Sequence, residues 1–258
     1  MLSYVRMISG SFFAGRCGAA ADDGPAKVQP LALLGVALVL AAAGAHAKPT
    51  TVENTMAQRM QACVVCHGKE GRATRDGYFP RIAGKPAGYL FAQLKNFRDG
   101  RRHNQAMSHL LQHMTDDYLR DIAAYFAELD LPYPPAQPHG LTTDQQRLAE
   151  TLVFNGAPER QIPACVSCHG AGMAGRLPAM PGLLTLPADY LIGQLGAWRT
   201  GQRKAAAPDC MADVAERLTS EEVGAIARWL SARTLPLGTK PEAGSAKPLP
   251  VRCGSAEQ

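Results

Sequence analysis

The sequence predicts an all-α protein made of two tandem copies of one unit. Three observations carry this: residue pairs that recur at a near-constant offset, apolar residues at helical spacing in matching places of both copies, and a proline-rich stretch between them. No segment shows the strict alternation of a half-buried strand. A chain of 258 residues has room for two domains of ordinary size. At 46% hydrophobic and 19% charged it is not a disordered chain. Only 6% is aromatic, which suits a core completed by something other than side chains.

The first element is a leader over residues 1–47. Lys27 precedes an apolar run from Leu31 to Ala45, and Ala45-His46-Ala47 is a cleavage signal of the A-x-A kind. The run spans about 15 residues, short of the roughly 20 needed to cross a bilayer. An uncleaved anchor is the alternative, and Met7 offers a later start. Either way the body of the chain is expected to be exported, which points to the periplasm. Without the leader the net charge falls from +5 to +4 and the cysteines from seven to six. There is no long basic block, so nucleic acid is not an expected partner. Membrane association is expected only through partners or an uncleaved leader.

The repeat comes next. Cys63-Val-Val-Cys66-His67 matches Cys165-Val-Ser-Cys168-His169 at an offset of 102. Tyr89, Gln93, Arg98 and Gly100 match Tyr190, Gln194, Arg199 and Gly201 at 101, and Pro80 matches Pro181. Met107, Ile122 and Tyr125 match Met211, Ile226 and Trp229 at 104, a drift that a few inserted loop residues explain. The expected units are 48–130 and 141–235. The segment 131–140 has four prolines and reads as a stiff linker. The tail 236–258 is expected to be loosely ordered, with Cys253 as its one anchor.

Helices are expected at matching places. Glu53 to Cys63 carries Met56, Met60 and Cys63 at helical spacing, and Gln145 to Phe154 carries Leu148, Leu152 and Val153, with Thr142 and Gln145 as a capping box. Gly88–Phe97 and Asp189–Trp198 form a second pair. Thr115 opens a third helix with Leu119, Ile122, Ala123 and Phe126 on one stripe. Thr219 and Glu222 cap its twin, with Val223, Ile226, Trp229 and Leu230 buried.

The chemistry lies in the two C-x-x-C-H motifs, the attachment signal for c-type haem. Two thiols at that spacing each form a thioether with a porphyrin vinyl group, and the following His is held under the iron. Cys63, Cys66, Cys165 and Cys168 are therefore the expected attachment points for two haem c groups, and His67 and His169 the axial ligands. A zinc site shared by the four cysteines would have to bridge a gap of almost 100 residues. A thioredoxin-like pair would need a βαβ setting, which the sequence lacks.

A sixth ligand closes a haem iron, and Met or His serve in electron carriers. Met107 and Met211 stand 40 and 42 residues after their histidines, on what reads as a loop, eight residues before Thr115 and Thr219. They are the expected second ligands. Met114 is the alternative in the first half, but its counterpart is Leu218. Met173 and Met180 compete in the second half without a Met counterpart. His103, His109 and His113 have no matching histidines, so they read as surface groups or contacts to haem carboxylates.

These residues resemble a known family. Each half is similar to a class I cytochrome c, and the pair resembles the dihaem cytochrome c4 family of bacterial periplasms. The resemblance covers roughly residues 51–232. It rests on the two haem motifs, Phe79-Pro-Arg-Ile-Ala-Gly84, Tyr89-Leu-Phe-Ala-Gln-Leu94, Tyr190-Leu-Ile-Gly-Gln-Leu195, Met107, Met211, Asp121-Ile-Ala-Ala-Tyr-Phe126 and Ala225-Ile-Ala-Arg-Trp-Leu230. It implies two class I cytochrome c domains joined by the Pro-rich linker. It also implies that the carbonyls of Pro80 and Pro181 orient the axial histidines, which tunes the iron. The second half departs from the pattern, with Met180 where the first has Phe79 and Cys210 beside Met211. Cys210 and Cys253 are the cysteines left over after haem attachment, and in an oxidising compartment they are expected to form a disulfide.

Two closed irons leave no site for a substrate, so electron transfer is the expected function rather than catalysis. The resemblance implies that a quinol-oxidising cytochrome complex supplies electrons and that they pass toward a terminal oxidase. A cytochrome subunit serving a periplasmic dehydrogenase is the alternative and differs only in its partner. A dihaem peroxidase would need one open iron. Arg98, Arg101 and Arg102, with Arg199, Arg203 and Lys204 as their repeat, read as a docking patch, a solvated face or partners of the haem carboxylates.

Overall fold

The computed structural model describes residues 51–257 apart from 75, 139 and 245–247. The expected leader lies outside the described residues. From Val52 onward the chain forms one compact unit. Among the described residues no helix is long and apolar enough to cross a membrane.

The architecture is helical, in two sets. The first set is α1 (Met56–Arg59), α2 (Gln61–His67), α3 (Ala87–Arg98), α4 (Gln105–Leu111) and α5 (Asp116–Glu128). The second is α6 (Thr143–Phe154), α7 (Cys165–His169), α8 (Ala188–Arg199), α9 (Cys210–Arg217) and α10 (Ser220–Ser231). Side-chain caps start most of these helices. Thr55, Thr115, Thr142 and Thr219 each accept a backbone N–H from the first turn, and Thr142/Gln145 and Thr219/Glu222 complete reciprocal capping boxes. The first core packs α3 against α5 through Leu90, Leu119, Ile122 and Phe126, with Met60 from the loop between α1 and α2. The second packs α10 against α6 and α8 through Leu152, Val153, Leu191, Val223, Ile226, Trp229 and Leu230.

Three expectations need correcting. The segment over Glu53–Cys63 is not one helix, because α1 ends at Arg59 and a new helix starts at Gln61 and runs on through the haem motif. Met107 and Met211 do not lie on loops. They sit in the first turns of α4 and α9, which Asn104 and Asp209 cap by accepting the N–H of Met107 and of Ala212. Helices of seven and eight residues are too short to show a repeating apolar stripe, and the capping residues were the only signal. A two-stranded antiparallel ribbon also exists, Gly175–Arg176 with Met180–Pro181, and strands this short carry no alternation to read.

Glu222 anchors the second set. Its carboxylate takes two hydrogen bonds from Arg160, at 2.6 and 3.1 Å, and one from the Thr219 N–H at 2.7 Å. Arg160 first, then the Thr219 N–H, hold this carboxyl below the usual glutamate range, against the effect of burial. A depressed carboxyl stabilises the fold above its unfolded pKa, and that stability is lost as pH falls through the folded value. Glu222→Gln keeps the capping box, as Gln145 does in its own helix, and is expected to cost about 1 kcal/mol at pH 7 through loss of the charge-assisted pair. Thermal melts of the two proteins from about pH 6 down to about pH 3 should converge as the wild-type carboxyl protonates. A gap independent of pH would refute the pairing as its source.

The halves touch through repeat-related residues. Arg102 of the first donates to Tyr190 and Gln194 of the second, and Arg203 of the second donates to Gln93 and Tyr89 of the first. Backbone bonds of 2.7 Å, His103 N to Gln202 O and Lys204 N to Arg101 O, flank the pair. Arg102 lies over the Phe97 ring and Arg203 over the Trp198 ring, at 4.4 and 3.8 Å. Arg102 and Arg203 are thus buried between the halves, not part of an exposed basic patch.

The linker is held at both ends. Arg81 donates to the carbonyls of Leu131 and Pro132 and lies over Tyr133, and the Gln137 N–H reaches Ser231 O. The tail also departs from expectation. The backbone of Glu242 bonds Gly175 and Leu177, and its carboxylate accepts the Gly172 N–H. Cys253 forms a disulfide with Cys210, across a sequence separation of 43.

Candidate haem-binding site

Each C-x-x-C-H motif lies on a helix, α2 in the first half and α7 in the second. In a helix, positions three and four apart share a face, so both cysteines and the histidine project together. Both helices stop at a glycine, Gly68 and Gly170, with φ of 74° and 87°. A Cβ on Gly68 would collide with the Ala73 carbonyl, so this turn away from the histidine needs glycine.

One cavity of about 980 Å³ runs along both halves. Its walls include Cys63, Cys66, His67, Pro80 and Met107 of the first half, and Cys165, Cys168, His169, Pro181 and Met211 of the second. All ten residues singled out from the sequence thus line one space. Met114 and Met180 line it too, as do His103 and His109, while Met173 is buried in the second core. His103, His109 and His113 are exposed.

The two histidines are held alike. His67 Nδ1 lies 2.9 Å from the Pro80 carbonyl, and His169 Nδ1 lies 2.8 Å from that of Pro181. A carbonyl only accepts, so Nδ1 carries the proton in both rings and Nε2 is left as the basic nitrogen. Burial lowers the pKa of both rings, against the pull of these hydrogen bonds, and keeps them neutral as ligands must be. Arg102 lowers His67 further, and Lys85 and Arg176 lower His169.

None of the four motif cysteines is paired in a disulfide. Burial raises Cys63 and Cys168 and pushes Cys165 up to about 11. No cluster of three or more metal-binding side chains exists among the described residues, so the cysteines do not gather as a zinc site would require.

The residues present fit haem. The walls are mostly apolar, yet Lys85, Arg102 and Arg203 stand on them buried and without a carboxylate in ion-pair range among the described residues. Trp198 Nε1, also on the wall, is buried with no hydrogen-bond partner. Buried cations and orphaned donors call for anions. A flat apolar ring system carrying carboxylates supplies both needs. Lys85 and Trp198 carry no motif in the sequence; their repeat-related positions hold Leu186 and Phe97, so the duplication does not mark them.

Comparison with known proteins agrees with this chemistry. Residues 159–230 match the family model described as cytochrome c oxidase, cbb3-type, subunit III. A thiosulfate dehydrogenase electron acceptor from Thiomonas intermedia is 35% identical over 67% of this chain and 79% of its own length. A cytochrome c4 from Thiocapsa roseopersicina is 33% identical over 65% of this chain and 85% of its own. Among solved structures, reduced cytochrome c4 from Pseudomonas stutzeri superposes with a TM-score of 0.59 at 28% identity, covering 67% of this chain and 94% of that one. A thiosulfate dehydrogenase (TsdBA) from Marichromatium purpuratum superposes with a TM-score of 0.60 at 32% identity. The match covers 69% of this chain but only 37% of that longer one.

Proposed function

Since this chain belongs to the dihaem cytochrome c4 family, an all-α family of electron carriers with two covalently bound haem c groups, we propose that it carries electrons between periplasmic redox proteins. The observation that carries the reading is the single cavity lined by both haem motifs and by both candidate methionines. In this reading the units 48–130 and 141–235 each hold one haem, and the leader 1–47 directs export.

Each haem iron, when bound, takes up and releases one electron. Cys63 and Cys66 fasten the first haem, and Cys165 and Cys168 the second. His67 and His169 present Nε2 to the irons because Pro80 and Pro181 hold Nδ1. Met107 and Met211 would serve as the second ligands, and the apolar walls would exclude water. Ligation by His and Met raises the potential above that given by two nitrogen ligands.

Electrons enter from a quinol-oxidising cytochrome complex and leave toward a terminal oxidase. A second reading, electron acceptor of a periplasmic dehydrogenase, is favoured by the relatives named for thiosulfate dehydrogenase. Reduction of the purified protein by thiosulfate together with such an enzyme, but not by thiosulfate alone, would select it.

A visible spectrum of the oxidised and reduced protein, with and without carbon monoxide, tests the shared core of both readings. Two low-spin c-type haems indifferent to carbon monoxide are expected. A large shift would mean an open iron and a haem enzyme such as a peroxidase.

A further inference from the structure

Lys85 belongs to the first half but ends in the second. It is 7% exposed, and its Nζ donates to the Gly182 carbonyl at 2.7 Å, across 97 residues of sequence. Gly182 directly follows Pro181, whose carbonyl receives the His169 Nδ1–H at 2.8 Å. The ammonium group therefore sits one peptide beyond the group that orients the second axial histidine. Nothing returns the arrangement. The repeat offset that pairs Pro80 with Pro181 pairs Lys85 with Leu186, an apolar side chain 6% exposed in the second core.

No protein carboxylate among the described residues pairs with Lys85. Arg176, the other cation acting on His169, has Glu242 at 4.0 Å, whereas Lys85 makes no ion pair among the described residues. A ferric haem carries one more positive charge than a ferrous one, so a fixed buried cation nearby disfavours the oxidised form.

We propose that Lys85 is a positioning residue that raises the reduction potential of the second haem from within the first half. The inference rests on the dihaem reading above.

The test uses the full-length holoprotein in a spectroelectrochemical titration at pH 6, because burial draws Lys85 down to about 7. Two one-electron steps are expected in the wild type; one haem per chain, or no c-type spectrum, would overturn the dihaem reading before any variant is compared. Lys85→Met is expected to lower one step by a tenfold or larger change in its equilibrium constant, 59 mV for a one-electron couple, and to leave the other in place. Adding Met107→His, which moves the first haem's step, should leave that Lys85-dependent shift intact. Lys85→Gln can still donate to the Gly182 carbonyl without a charge, and should shift the step as Met does, while Lys85→Arg should restore it. Leu186→Lys should raise the other step. Steps that do not move, that move together, or that stay at the wild-type value in Lys85→Gln would overturn the assignment.

Discussion

Replacing Cys63 and Cys66 together by serine is expected to yield a chain with one haem instead of two and a first half that no longer folds. The argument is one of volume. The cavity that the haems are read to fill measures about 980 Å³. At about 24 cal/mol per Å³, leaving even half of it empty corresponds to on the order of 10 kcal/mol. That is comparable with the whole stability of a domain, about 5–15 kcal/mol. The first core is a small group around Leu119, Ile122 and Phe126 and has no reserve to meet such a loss. Haem content per chain and far-ultraviolet dichroism measure both parts. Two haems in the variant, or an unchanged dichroism spectrum with one, would refute the view that haem completes this core.

Met211→Ala is expected to open the second iron. The variant should bind carbon monoxide at one haem per chain and lower that haem's potential by on the order of 0.1 V, within the roughly 0.8 V range that axial ligands control. The control is Met180→Leu. Met180 also lines the cavity and directly precedes Pro181, so lining the cavity does not separate the two candidates. What separates them is support. Met211 sits in the first turn of a capped helix, beside a cysteine bonded to Cys253. Met180 lies in a two-residue strand paired with Arg176. If Met180→Leu opened the iron and Met211→Ala did not, the ligand assignment would be reversed.

Much of this arrangement is legible in the sequence because it is local. A capping box needs residues three apart, and Thr142 with Gln145 and Thr219 with Glu222 form one in each case. The haem motif needs positions three and four apart on one helix, and both copies lie on helices. What the sequence hides depends on the meeting of distant segments. An arginine reads as exposed until a partner buries it, and Arg102 and Arg203 are buried only because each half supplies acceptors to the other. Lys85 is illegible for the same reason, since its carbonyl partner lies in the other copy. The tail reads as loose because prolines and glycines interrupt it, yet one glutamate and one disulfide fasten it.

The crossed arginines have a consequence for how the molecule comes apart. Each guanidinium donates to a tyrosine and a glutamine of the opposite half as well as to a glutamine of its own, so separating the halves would remove part of its acceptors. The duplication therefore does not yield two independent thermodynamic units. Loss of order in one half removes hydrogen bonds from the other and lowers its stability. A gene that arose by copying one self-sufficient module has in this way become a protein whose modules depend on each other's presence.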